Sequence, residues 1–237
     1  MPQRLLAGSI MVAAVFLSAA SIVLLAAFPL GCFVRFGWPL WPALFWDAGL
    51  SFLFFLQHSG MVRPRFRAVL HVPQHYQGAI YAIASGVALL AVVLLWQPTD
   101  VALLVLEGAP RWAAHVCAIL ALAFFVWGIV ALRDFDPCGV APIRAHLRGV
   151  RSRQLPLVIR GPYRWVRHPL YSAILVLFWS NPDVTADRLL FNILWTAWIC
   201  LGVYLEEADL RDDFGETYAQ YQRKVPALIP WRGPVKL

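Results

Sequence analysis

The run Arg160-Gly161-Pro162-Tyr163-Arg164-Trp165-Val166-Arg167-His168-Pro169-Leu170-Tyr171 is the most polar and most punctuated stretch of an otherwise apolar chain. Two apolar segments follow it: Leu170 to Ser180, broken by Asn181-Pro182-Asp183, and Leu189 to Leu205, which ends in Glu206-Glu207 and a mixed polar helix reaching Lys224-Val225-Pro226. If both segments are helical and Asn-Pro-Asp turns the chain, His168 at the start of one and Glu206 at the end of the other lie on one side of a hairpin. That side collects a histidine, several arginines, two tyrosines and two carboxylates.

Composition places the hairpin in a membrane. Hydrophobic residues make up 60% of the chain and charged ones 14%, with uncharged runs of about 17 to 25 residues. Six apolar stretches stand out, at about 5 to 30, 41 to 57, 77 to 96, 112 to 132, 169 to 180 and 188 to 205. The expected fold is therefore all-α: a polytopic helical membrane bundle of five to six transmembrane helices, with a C-terminal helical hairpin and an interfacial helix. The fifth stretch spans only about 18 Å as a helix, against a hydrocarbon core of about 30 Å, so it needs shielding or borrowed length.

Lysine and arginine set the orientation. Arg35, Arg111 and Arg188 sit in alternate loops, whereas the other 17 of 20 fall at the N-terminus, near Arg63, between Arg133 and Arg167, and in the tail. Six crossings with cytoplasmic termini satisfy this bias and put Trp38, Trp41, Trp96, Trp112 and Trp179 in an outer aromatic belt. A basic inner surface facing anionic lipid accounts for the net charge of +7. No basic-aromatic nucleic-acid module is visible, so nucleic acid is not an expected partner.

The N-terminal apolar run reads as a retained helix rather than a signal peptide, since only Arg4 precedes it and no small-x-small site leads into a soluble domain. Four scattered cysteines without C-x-x-C signal neither a metal site nor a disulfide framework. Asp47 lies inside the second stretch, where function and an interfacial position weigh equally. Gln57-His58-Ser59-Gly60-Met61-Val62-Arg63-Pro64-Arg65-Phe66-Arg67 ends that stretch. Its plain reading is a positive-inside stop signal, yet Gln57 and His58 abut the apolar run, where polar groups need partners. In the basic loop from Arg133 to Arg167, Asp134 to Gly139 reads as a turn and Ile143 to Leu147 as a short interfacial element.

The His168-Pro169 corner has its own chemistry. Proline suits a first helical turn, whose free N–H groups and positive dipole end accept an anion. Glu206 and Glu207 offer acceptors to hydroxyl or ammonium groups; their plain reading is an ordinary helix end, with Glu207 pairing to Arg211. Beyond them Leu210, Phe214, Tyr218, Tyr221 and Val225 give one apolar face, fit for an interfacial helix that lids the pocket.

Arg167-His168-Pro169-x-Tyr171, Glu206-Glu207 about 38 residues later, Phe214-Gly215-x-x-Tyr218-x-x-Tyr221 and Val225-Pro226-x-x-Ile229-Pro230 together resemble the isoprenylcysteine carboxyl methyltransferase and phospholipid methyltransferase superfamily. Gln57-His58-Ser59 with Arg63-Pro64, and His146-Leu147-Arg148-Gly149, are similar to its methanethiol S-methyltransferase and NnrU-like branch. Ala173 stands where the family often carries glycine.

The resemblance implies one membrane-embedded methyltransferase domain over residues 1–237, with S-adenosylmethionine bound within about 133–230. Gly161, Tyr163, His168, Pro169, Tyr171, Glu206 and Glu207 are its expected cofactor-binding residues. The cofactor's carboxylate is expected at the His168 corner, its ribose or amino group at the glutamates, and its sulfonium against Tyr163, Trp165 or Tyr171. Arg167 and His58 are the expected catalytic pair for a small or apolar thiol, Arg167 stabilising the thiolate and His58 orienting or deprotonating the thiol. The expected location is the bacterial inner membrane, with the active site on the cytoplasmic side. Two alternatives stay open: methylation of a prenylcysteine carboxylate or lipid amine, and a non-enzymatic accessory protein, haem-linked through His58 and His168.

Overall fold

A computed structural model describes residues 2–27, 34–63, 66, 69, 71–133, 136–150 and 156–235. Among these are seven α-helices: α1 (Pro2–Ala27), α2 (Leu40–Val62), α3 (Gln74–Leu95), α4 (Gly108–Leu132), α5 (Val140–Leu147), α6 (Pro169–Trp179) and α7 (Ala186–Lys224). The strands β1 (Ala102–Val105) and β2 (Asp183–Thr185) and a 3-10 turn over Gly161–Arg164 complete them. Five helices, α1 to α4 and α7, are long and apolar enough to cross a membrane. The protein is a polytopic, all-α membrane protein. The fifth apolar stretch remains short: α6 has 11 residues, about 16 Å of helix. Pro64, Arg65 and Arg67 of the stop signal, and Asp134 and Phe135 of the expected turn, lie outside the described residues.

The chain forms two compact units, residues 1–101 with 136–154 and residues 102–135 with 155–237. In the first, α1 packs along α3, and α2 and α5 also pack on α3. Small side chains make the close approach possible: Ala7, Ala14, Ala79 and Ala82 meet around Ile143. Gly139, at φ +63°, starts α5 so close to α3 that a Cβ there would lie 2.3 Å from the Gly78 carbonyl carbon. In the described part of the turn before α5, Asp136 Oδ2 accepts from the Ala141 amide at 2.6 Å. Asp47 receives a structural role: its buried Oδ1 accepts the Gln97 amide at 2.8 Å just past the end of α3. Gln97 in turn accepts from the Phe36 amide and donates to the Val34 carbonyl, both at 2.8 Å. A costly carboxylate thus fastens two loops at the helix ends.

In the second unit, α4 packs against α6 and against the 3-10 turn. Gly128 lets α6 come close, because a Cβ there would lie 2.7 Å from Leu170 Cδ2. Ala173 is buried at 2% exposure. Phe178 of α6 meets Phe191 and Trp195 of α7 with ring centroids 4.9 and 6.2 Å away. The two strands form an antiparallel ribbon pairing Ala102 with Thr185 and Val105 with Asp183. Arg111 clamps the ribbon by a bidentate pair to Asp183 at 2.8 and 2.7 Å. The guanidinium holds the Asp183 carboxyl below its ordinary range.

Helix α7 runs for 39 residues and reverses at Gly215, where φ is 55° and ψ −132°. Without that break Glu207 and Gln222 would stand about 22 Å apart. Instead the Gln222 side chain donates to Glu207 Oε2 at 2.8 Å, so the second limb folds back along the first.

Candidate active site

The Arg160–Tyr171 corner is held from two directions. On one side Gly161, at φ +55°, lies against α4, where a Cβ would come within 3.2 Å of Trp127 Nε1 and 3.1 Å of Ala131 Cβ. Arg160 Nε donates to the Ala131 carbonyl at 2.5 Å, satisfying one open carbonyl at the end of α4. On the other side the segment after α7 returns to the corner. The Arg167 amide donates to the Pro226 carbonyl at 2.9 Å, the His168 amide to Ala227 at 3.0 Å, and Ser172 Oγ to Leu228 at 2.7 Å. Tyr221 donates its hydroxyl to the Tyr163 carbonyl at 2.5 Å. Tyr218, Tyr221 and Val225 bury there against Leu157, Ile159, Leu210, Phe214 and Val235. The apolar face read from spacing is thereby the cement of the corner.

Glu207 is the hub. Its Oε1 accepts from Arg167 Nε at 2.6 Å, from Arg167 NH2 at 2.5 Å and from His168 Nε2 at 3.0 Å, with the Tyr218 hydroxyl at 3.5 Å. Gln222 takes Oε2. The remaining Arg167 nitrogen, NH1, donates to the Gln222 and Val225 carbonyls. The Arg167 and Glu207 side chains are only 10% and 13% exposed. Their charges cancel inside the protein, which a buried ion pair needs.

Glu206 stands apart, with a side chain 44% exposed and Oε2 3.9 Å from His168 Nδ1. Tyr163 senses it: burial first, then the Glu206 charge, push the phenol up to about 12. The Tyr171 ring centroid is 5.8 Å from that of His168, and Pro169 is buried at the first turn of α6.

Gly161, Tyr163, Arg167, His168, Pro169, Tyr171, Glu206 and Glu207 therefore all fall in the second unit around one corner. His58 falls in the first unit, where its Nε2 lies 2.7 Å from the Tyr81 hydroxyl and its ring meets Phe54. Neighbouring Gln57 donates to Ser85 Oγ at 3.3 Å. Gln222, Ser172 and the carbonyls of Pro226 and Ala227 were missed in the sequence; Gln222 stands four residues after Tyr218, which was its one available signal. The helix-end pairing expected of Glu207 also changes: Arg211 Nε reaches its backbone carbonyl, at 3.4 Å, while Arg167 and His168 hold the carboxylate.

No family model and no solved structure matches the chain. Among known proteins it is similar to the methanethiol S-methyltransferase of Pseudomonas sp. strain GM41, 38% identical over 207 residues covering 84% of this chain and 77% of the relative. The enzyme of the same name from Mycobacterium tuberculosis is 31% identical over 200 residues, covering 81% and 80%. Human Nurim is 29% identical over 78% of this chain. Identity of this extent, over most of both chains, shows that the protein is a membrane methyltransferase and belongs to the isoprenylcysteine carboxyl methyltransferase and phospholipid methyltransferase superfamily, with the methanethiol S-methyltransferases.

Proposed function

We propose that the protein moves a methyl group from S-adenosylmethionine to a small or apolar thiol. The observation that carries this reading is the similarity, over most of the chain, to enzymes named for methylating methanethiol. The residues at the corner suit such a methyl donor. Glu206 offers a partly exposed carboxylate beside His168 Nδ1, and the Tyr163 and Tyr171 rings flank them, a set of acceptors and π faces fit for a cationic, hydroxyl-bearing ligand. When bound, S-adenosylmethionine supplies an electrophilic methyl on sulfonium.

Within this reading each residue has a defined part. Gly161 and Pro169 shape the backbone of the corner, where burial and then the Glu206 charge push the Tyr163 phenol up to about 12. Arg167 acts through Glu207: all three guanidinium nitrogens are engaged within the protein, so its charge serves to hold Glu207 and His168 in place. A methyl transfer from sulfonium to thiolate consumes opposite charges, and a corner whose own strong pair is internally cancelled leaves that attraction unscreened.

Purified protein incubated with methyl-labelled S-adenosylmethionine and, separately, a short alkyl thiol, a prenylcysteine and a lipid amine tests the reading. Label on the thiol sulfur is expected. Label confined to a carboxylate or an amine would overturn it.

A further inference from the structure

The second limb of α7 has the spacing of an interfacial helix, yet its apolar face is used up inside the protein, where Tyr218, Tyr221 and Val225 are buried. The chain just beyond it does the opposite. Ile229 and Trp231 are 67% and 66% exposed, with Pro230 exposed between them. They form a tight three-residue turn, in which the Trp231 amide donates to the Ile229 carbonyl at 2.9 Å. Pro230 has no N–H and that of Trp231 is satisfied within the turn, so two of the three amide positions at this apolar tip need nothing from water. Its depth follows from the residue before it. The Leu228 carbonyl accepts from Ser172 Oγ, in the first turn of α6, at 2.7 Å. That turn lies against Gly128 of α4, four residues before this crossing helix ends at Leu132 and so about 6 Å inside its end. An isoleucine and a tryptophan that leave the protein at the last turn of a crossing helix stand where hydrocarbon gives way to headgroups, the level that tryptophan favours.

Basic groups flank the tip. Lys224 and Arg232 are exposed, and neither pairs with a carboxylate among the described residues, whereas Arg223 is matched by Glu216 at 2.5 Å. Arg232 NH1 donates to the Arg223 carbonyl at 2.9 Å, which keeps its guanidinium at the end of α7, where Lys224 also stands. The exposed acids Asp209, Asp212 and Asp213 lie further along α7 than Glu207, by about 3 to 9 Å toward the Gly215 turn.

We propose that Ile229-Pro230-Trp231 inserts into the leaflet at this end of the bundle and that Lys224 and Arg232 pair with the phosphates of anionic phospholipids around it. The preceding carbonyls of Pro226, Ala227 and Leu228 hold Arg167, His168 and Ser172, so lipid that anchors the tip also fastens the return segment on the corner. The anchorage requires neither a methyl donor nor an acceptor and stands apart from the reading of the reaction.

A nitroxide on Ile229→Cys, in a cysteine-free background reconstituted into vesicles, reports the tip. In vesicles of equal parts phosphatidylcholine and phosphatidylglycerol the label should be reached by oxygen in preference to a water-soluble nickel chelate, whereas the same label on Asp213→Cys should favour nickel. Two basic groups at an anionic surface contribute about thirtyfold. The ratio of inserted to released label should therefore fall by about that factor in phosphatidylcholine alone, and equally in the anionic vesicles when Lys224→Gln and Arg232→Gln are added. A label at Ile229→Cys that favours nickel in both vesicles, or whose insertion ignores lipid charge and the double substitution alike, would overturn the site. Shielding from oxygen and nickel together would mean that protein covers the tip in place of lipid, and would overturn it as well.

Discussion

Replacing Glu207 with alanine strips Arg167 of its only carboxylate partner among the described residues and leaves a guanidinium 10% exposed without a counter-charge. Removing one member of a buried ion pair costs about 3–5 kcal/mol, so Glu207→Ala should lower the unfolding temperature in detergent sharply. The paired replacement Arg167→Met with Glu207→Met should recover much of that stability while turnover stays lost, because His168 loses the Glu207 carboxylate that holds its ring. A double variant as unstable as Glu207→Ala would show that the pair contributes more than mutual neutralisation. Glu206 and Glu207 were indistinguishable in the sequence, where both stood as acceptors at a helix end. Only the fold separates them: successive residues on a helix point about 100° apart, which sends one carboxylate to Arg167 and the other toward solvent. Arg167 and Glu207 are 40 positions apart, a separation at which no local pattern announces a pair.

The hairpin of α6 and α7 was legible because apolar runs, a proline at the first helical turn and the Asn-Pro-Asp break each carry a local physical meaning. The reversal within α7 was not. Leu210, Phe214, Tyr218, Tyr221 and Val225 keep helical spacing straight through Gly215, so the pattern reports one face and hides the turn in it. The same five residues nevertheless meet in one cluster, with Tyr218, Tyr221 and Val225 buried and Leu210 and Phe214 partly buried against them, because each limb presents its part of the stripe to the same wall. Gly215 is the hinge of this element, at φ 55° and ψ −132°. Nothing lies within 4 Å of a Cβ built there, so Gly215→Ala isolates the backbone cost, about 1–3 kcal/mol. Thermal unfolding should show a loss of that size. Turnover should fall further than stability alone requires, since Gln222 reaches Glu207 only across that turn; an unaltered melting curve and rate would show that the reversal tolerates a side chain.

Across the whole molecule, the bias of lysine and arginine predicts that the segment after α7 faces the cytoplasm and that the loop between α3 and β1 faces outward. Asp100, with a fully exposed side chain, and Gly233, also exposed, give the measurement. In a cysteine-free background, Asp100→Cys should react with a membrane-impermeant maleimide on intact cells, and Gly233→Cys only after permeabilisation. The opposite pattern would invert the orientation. The short ribbon of β1 and β2 escaped the sequence reading, since strands of four and three residues are too brief for alternation to declare itself. The stitching of Arg167 and His168 to Pro226 and Ala227 also sets an order in time. The corner is synthesised about 60 residues before the carbonyls that hold it, an interval of about 3–12 s at ordinary elongation rates. For roughly the first two-thirds of that interval Arg167 has neither Glu207 nor its carbonyl partners, and its guanidinium depends on water until they arrive.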